Sequence, residues 1–184
     1  MSNPLIALCG FVVLVSVGGP ALAADAQAPA ERTIVLVRHG SYVPDPKVDK
    51  KIGPHLSPLG SAQAHLAGAR PAGMPGRFDG MYVSPMQRAR DTAAIIGERF
   101  PGRPFEVVGD LAKCVPPRWR TDVVKDYSRK ERADCKAALD RDFNRFFKPA
   151  IDRPQCDLLV CHGDVIRYLV QRIPGAFRQG GRAG

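Results

Sequence analysis

The 184-residue sequence is poor in histidine, with four in all, and shows no Cys/His spacing of the kind that ligates a metal. A zinc module is therefore excluded, and interest moves to what those few imidazoles stand beside. Basic–aromatic interleaving and a base-reading helix motif are also missing, so no nucleic-acid partner is expected. There is no internal repeat and no sign of a second domain. Acidic residues are in deficit, 18 against 27 Lys and Arg, which leaves a formal charge of +9. A long hydrophobic run is lacking too. The N-terminal run Leu5–Val17 has 13 residues, where a membrane span takes roughly 20.

What is present at the N-terminus fits a leader. The apolar run is followed by Gly18-Gly19-Pro20 and by Ala21-Leu22-Ala23, a small-x-small cleavage pattern, although no Lys or Arg precedes it. The expected organisation is a signal peptide over 1–23, a short linker over 24–32 and one domain over 33–184. Export to the periplasm or the exterior follows, with no stable membrane span after cleavage. Every charged side chain lies beyond residue 23, so the domain itself carries the +9. Such a surface favours phosphorylated or otherwise acidic ligands. The oligomeric state is left open.

Three segments carry chemistry. Arg38-His39-Gly40 follows the apolar run Thr33–Val37; Ser84-Pro85-Met86-Gln87-Arg88-Ala89 follows Gly80–Val83; His162-Gly163 follows Asp157–Cys161. Each functional side chain then sits at or just past the C-terminal end of a strand, where open α/β sheets bind ligands. Two arginines supply planar, permanently charged forks for phosphate oxygens. A neutral imidazole can attack phosphorus and carry the phosphoryl group covalently. On this reading His39 is the nucleophile, while Arg38, Arg88 and His162 hold the phosphate; His162, if protonated, would add a further donor, and Ser41 would offer a hydroxyl.

At these residues the sequence resembles the histidine phosphatase superfamily, in its phosphoglycerate mutase-like branch, and within it the small PGAM-like protein phosphatases. Val37-Arg38-His39-Gly40 is similar to the opening motif. Leu56 to Ala64 resembles the second, Ser84 to Ala93 the third, and Val160-Cys161-His162-Gly163 the last. The resemblance implies phosphomonoester hydrolysis through a phosphohistidine on His39, with no metal or cofactor. The substrate would be a phosphorylated small molecule or a phosphoprotein. Gly40-Ser41-Tyr42 lacks the Glu-Thr of the mutases and favours a phosphatase.

Two departures stand out. The family places a glutamate a few residues after the third strand as proton donor, whereas Asp110-Leu111-Ala112-Lys113-Cys114 puts Lys113 or Cys114 there. A positioned acid is worth roughly 10²–10⁴ in rate. Activity is therefore expected to be weak on alkyl phosphates and better preserved on aryl phosphates or phosphohistidine, with Asp110 or Glu106 as replacement acids. A non-catalytic phospholigand-binding protein is the alternative. The second departure is the glycine-rich tail Phe177–Gly184, which has no strand character and implies that the family's C-terminal edge strand is missing.

The expected fold is α/β: a three-layer α/β/α domain with a mostly parallel central sheet. Four strands are predicted over Thr33–Val37, Gly80–Val83, Phe105–Val108 and Asp157–Cys161. One helix begins at the Ser57 N-cap, with Pro58 in its first turn. A second uses Ser84-Pro85 in the same way, with Met86, Ala89, Ala93 and Ile96 on its apolar stripe and Arg88 off it. A third runs from near Ser128 to Phe147, burying Cys135, Leu139, Phe143, Phe146 and Phe147. The last begins around Asp164. Segment 41–54, rich in proline and lysine, reads as a lid or wall. Trp119 in Pro116–Arg120 reads as a loop plug, and His55 and His65 read as structural or exposed.

Once Cys9 leaves with the leader, four cysteines remain. Cys156 and Cys161 flank one strand and would lie roughly 16 Å apart at about 3.3 Å per residue, beyond disulfide reach. Cys114–Cys135 is the pairing to expect. Cys161 reads as a small core residue, since no phosphate-cradling loop accompanies it.

Overall fold

A computed structural model describes residues 8–9, 12–17, 30–74, 77–116 and 124–174. Alternation along two neighbouring strands builds the core. In β3 (Arg32–Arg38) Ile34 and Leu36 face one side of the sheet and Val35 and Val37 the other; in β6 (Gln155–Cys161) Leu159 and Cys161 oppose Leu158 and Val160. Both faces are therefore apolar, as a parallel sheet covered by helices on both sides requires. Arg32 and Asp157 pair across these strands at 2.6 Å, which compensates a carboxylate that is almost fully buried.

The order across the sheet is β1-β2-β3-β6-β4-β5, with β1 at Leu8–Cys9, β2 at Val12–Val17, β4 at Gly80–Val83 and β5 at Glu106–Val107. From β3 to β5 all neighbours are parallel, so their C-terminal ends open on one side. β5 is shorter than the predicted run. Its two residues are exposed, and only Val108 beyond it turns into the core. The two N-terminal strands pair antiparallel, β2 running along β3 from Val12 opposite Val37 to Val17 opposite Arg32. Part of the expected leader thus covers the outer edge of β3. The expected cleavage site and the glycine-rich tail lie outside the described residues.

Helix α1 (Pro58–Ala72) starts as expected: Ser57 Oγ accepts the Gly60 N–H and Pro58 occupies the first turn. Helix α2 (Gln87–Gly97) departs from expectation. It starts two residues later than the Ser84-Pro85 device suggests, with Met86 at its N-cap and no side-chain cap. The reason is that the Ser84 hydroxyl bonds elsewhere, to His162 and to the Met86 N–H. Helices α1 and α2 cover one face of the sheet, where Val35, Val37, Met81, Val83, Ala89, Ala93 and Ile96 form a single core.

Helix α3 (Arg129–Phe146) opens with a reciprocal capping box between Ser128 and Glu131. With α4 (Gly163–Gln171) it covers the other face, where Leu139, Phe146, Val165 and Leu169 bury against Ile34, Leu36 and Leu159. Phe143 is only partly buried and stacks on Phe147 at 4.9 Å. Cys114 and Cys135 form a disulfide with Cα atoms 5.6 Å apart, tying the segment after β5 to α3, while Cys156 and Cys161 stay free. The layers are α/β/α, as expected. Among the described residues no helix is long and apolar enough to cross a membrane.

Candidate active site

His39 and His162 stand one residue past the ends of adjacent parallel strands, in register. Arg38 is opposite Cys161, and the His39 N–H donates to the Cys161 carbonyl at 3.0 Å. The strand pairing therefore sets the distance between the two rings, whose centroids are 5.0 Å apart. Both are buried, at 5% and 1% exposure.

The partners fix each tautomer. His39 Nδ1 lies 2.8 Å from the Gly40 carbonyl oxygen, which can only accept, so Nδ1 carries the proton. Nε2 is then a bare lone pair, and Arg88 Nε donates to it at 3.1 Å. Arg88 Nη2 lies 3.3 Å from His162 Nδ1, and a guanidinium only donates, so that nitrogen is an acceptor. The His162 proton is on Nε2, which donates to Ser84 Oγ at 2.8 Å. One buried guanidinium thus bridges two neutral imidazoles.

Electrostatics agree with the geometry. Burial pulls the His39 pKa down to about 4, against the pull of the Gly40 bond, and the charges of Arg88, Arg38 and Lys113 lower it further. His162 falls to about 2 from burial and the surrounding positive groups. Without an anion His162 is therefore not the protonated donor that the sequence suggests. It is a neutral acceptor, because three cations raise the cost of a further positive charge in a buried space.

Arg88 is 2% exposed although it sits off the apolar stripe, as expected. Thr92 locks its turn by donating to the Arg88 carbonyl at 2.8 Å while accepting the Gly40 N–H at 3.1 Å. Tyr42 lies under the guanidinium, 4.7 Å from ring centroid to Cζ, and meets His39 edge-on at 5.6 Å. The loop after His39 presses against α1 so closely that a Cβ on Gly60 would stand 1.9 Å from the Ser41 carbonyl oxygen. Ser41 is held there by its backbone: its N–H donates to Gln63 Oε1, and its carbonyl accepts from the Ser57 N–H and hydroxyl. Segment 41–54 closes over Arg88 as a wall. Gly53, at φ +74°, leaves no room for a Cβ beside Arg88 Nη1.

Arg38 lies exposed along the start of α4, its Cδ 3.6 Å from where a Cβ on Gly163 would be. Helix α4 begins directly after His162, which places the positive end of its dipole at the pocket. Of the two residues offered for the acid position, Cys114 is consumed by the disulfide. Lys113 is the one whose charge reaches both histidines. The replacement acids are engaged elsewhere: Asp110 pairs with Arg141 at 2.7 Å and Glu106 with Arg145 at 2.9 Å, both on α3. Burial raises the Cys161 thiol to about 12, which leaves it inert. His55 is exposed and pairs with Asp91 at 2.9 Å, and His65 is exposed on α1. Trp119 lies outside the described residues.

Sequence reasoning missed Tyr42, Thr92 and the role of Ser84. All three lie within or beside the quoted motifs, but nothing in their spacing separates a histidine-orienting hydroxyl from a helix cap. Two imidazoles on which, among the described residues, the side-chain charges that act are cations suit an oxyanion and a nucleophilic nitrogen rather than a metal cation.

Comparison with known proteins agrees with this chemistry. The family described as histidine phosphatase superfamily (branch 1) matches residues 34–183. The serine/threonine-protein phosphatase Pgam5, mitochondrial, of Caenorhabditis elegans is 35% identical over 163 residues, covering 84% of this chain and 55% of that protein. Its counterpart of Homo sapiens is 32% identical over 157 residues, covering 79% and 51%. The chain thus spans about half the length of the curated relatives it matches. The crystal structure of a phosphoglycerate mutase from Plasmodium falciparum shares the fold, with a TM-score of 0.53 and 24% identity over 77% of this chain and 67% of that one.

Proposed function

The chain belongs to the histidine phosphatase superfamily, and from that premise we propose that it hydrolyses phosphomonoesters through a phosphohistidine on His39. The observation that carries this reading is the fixed tautomer of His39. Its Nε2 carries the lone pair and is held by the Arg88 Nε–H, a donor that a phosphate oxygen can take over. In the first step Nε2 attacks phosphorus and the bond to the leaving oxygen breaks. Charge on the equatorial oxygens is met by Arg88 and Arg38 and by the start of α4. An incoming oxyanion draws Arg88 off the His39 lone pair, freeing the nucleophile as the phosphate is bound. It also favours a proton on His162, which then turns from acceptor to donor. Water attacks in the second step and releases phosphate.

Substrates fall into two classes, phosphorylated small molecules and phosphoproteins. The names of the relatives, serine/threonine-protein phosphatases, favour the second. Export with cleavage near Ala23 is part of the proposal. It is supported by the 5–23 pattern and by a disulfide, a bond that persists in oxidising compartments. Removal of the leader would take β2 with it and open the edge of β3. N-terminal sequencing of the secreted or periplasmic protein checks the cleavage.

The deciding experiment incubates the protein with an aryl phosphate, beside His39→Ala. Turnover in the wild type, with an acid-labile phosphoryl group trapped on His39 and lost in the variant, is expected. Inorganic phosphate binding without turnover would replace the enzyme by a phospholigand-binding protein. Activity surviving His39→Ala would refute the phosphohistidine.

A further inference from the structure

The segment after β5 is held at three points and offers one side chain to solvent. The Val108 N–H donates to the Val83 carbonyl at 2.9 Å, beside the Ser84 that orients His162. A 3₁₀ turn over Gly109–Leu111 follows. Leu111 and Val115 are then buried, at 0% and 2% exposure, and Cys114 is bonded to Cys135 on α3. Lys113 stands exposed between these anchors, on the side of the sheet where His39 and His162 emerge.

We propose that Lys113 is a specificity-determining residue: its ammonium stabilises a leaving group that departs as an oxyanion, a phenolate or a carboxylate, where a carboxylic acid at the same place would instead protonate a departing alkoxide. The proposal rests on the phosphatase reading above and narrows its substrates. Its ground is the charge pattern. Every charged group that acts on both imidazoles is a cation: Arg38, Arg88 and Lys113. The acidic residues closest in sequence, Asp110 and Glu106, are tied to Arg141 and Arg145.

The first step then runs without proton transfer. The His39 Nε2 lone pair forms the N–P bond. The P–O bond to the leaving group breaks, and its electron pair stays on the leaving oxygen, which meets the Lys113 ammonium. In the second step a water oxygen bonds to phosphorus, the N–P bond breaks with its pair returning to Nε2, and the second water proton passes to a phosphate oxygen, so that the product leaves as a protonated phosphate. A phenolate or carboxylate carries that charge readily. An alkoxide does not leave without a proton, and Asp110 and Glu106, tied to α3, are not placed to supply one. The disulfide and the buried Leu111 and Val115 fix the backbone from which the Lys113 side chain extends.

The test is a series of phenyl phosphates of graded phenol acidity, together with acetyl phosphate and one alkyl phosphate. It uses the wild type and the Lys113→Met, Lys113→Arg and Lys113→Glu variants, all with thermal unfolding as a folding check. Lys113→Met should lose about 10-fold or more in kcat/KM on the least acidic phenol and less on the most acidic, steepening the leaving-group dependence. Lys113→Arg should keep the wild-type slope. Lys113→Glu should lose aryl and acyl phosphate turnover and gain on the alkyl phosphate, reversing their ratio. Wild-type turnover with slopes unchanged in Lys113→Met, or with no ratio change in Lys113→Glu, would overturn this role and leave the phosphatase intact. No wild-type turnover of any phosphate would overturn the phosphatase reading and this inference with it.

Discussion

His39 is expected to stay an unprotonated nucleophile at acidities where an ordinary imidazole is protonated. The structure places its pKa at about 4, burial being the chief cause and the neighbouring cations adding to it. At pH 5 such a ring is about 90% neutral, against about 3% for one titrating at about 6.5, a difference of about 30-fold in available nucleophile. Direct titration of the labelled imidazole by NMR reads the ring without interference from the substrate, whose own second ionisation lies near about 6. The His39 resonance is assigned by its loss in His39→Ala. A midpoint near 4 is expected, with His162 remaining neutral over the same range. The linkage has a definite sign. Between about 4 and 6.5 the unfolded chain binds a proton at this position and the folded chain does not, so stability falls as pH falls, at up to about 1.4 kcal/mol per unit. Urea midpoints across that window should follow, and His39→Ala should flatten part of the slope. A His39 midpoint at or above 6.5 would refute the reasoning, since neither the burial nor the cation cluster would then be acting as described.

Three further outcomes follow from single contacts. Ser84→Ala strips His162 of the acceptor for its Nε2–H, leaving a buried donor unsatisfied; about 1–3 kcal/mol of stability should be lost, together with kcat/KM, as read by urea unfolding and aryl phosphate assays. Gly60→Ala drives a methyl group into the Ser41 carbonyl 1.9 Å away. The loop carrying Tyr42 must shift, and kcat should fall about 10²-fold, the scale of a 1 Å misplacement; an unchanged kcat would show that the close approach does not position the site. Asp142 is buried with its Oδ2 unpartnered, and burial raises its pKa to about 7. The folded chain therefore holds a proton that the unfolded chain releases near 3.8, and stability falls as pH rises between the two, at up to about 1.4 kcal/mol per unit. Asp142→Asn should remove that slope and be the more stable protein at pH 8, which unfolding at pH 5 and pH 8 will show.

Much of the scaffold was legible because it depends on local patterns. Alternating apolar residues before Arg38 and His162 mark strands buried on both faces, and Ser57-Pro58 and Ser128 mark helix starts whose capping bonds form as written. The Cys114–Cys135 pairing was legible because the other two thiols flank one strand. Readings failed where a tertiary contact overrode the local one. Ser84 precedes a proline just as Ser57 does, yet a buried imidazole 78 residues away claims its hydroxyl, and α2 starts late. The leader reading of Val12–Val17 carries no word of pairing, yet the same β-branched run lies along β3. The protonation of His162 was beyond reach because it depends on how deeply the fold buries the ring and on how many cations it gathers round it. No motif spacing carries that count.

The same cations resolve an apparent conflict in the site. A nucleophilic histidine must be neutral, while a phosphate pocket must be positive, and a protonated imidazole would serve only the second need. Burial and the fixed charge on Arg38, Arg88 and Lys113 separate the two requirements: the cations make the pocket attractive to a phosphoryl group, and burial first, with cation repulsion added, keeps protons off His39 and His162. Arg88 carries the arrangement furthest. Its Nε occupies the His39 lone pair and its Nη2 the His162 acceptor, so the resting pocket has no bare buried nitrogen. Each of those bonds is one that a phosphate oxygen would receive in its place. In the proposed hydrolysis substrate binding is therefore an exchange of acceptors on a single preplaced guanidinium, which uncovers the nucleophile only when the phosphoryl group is there to be attacked.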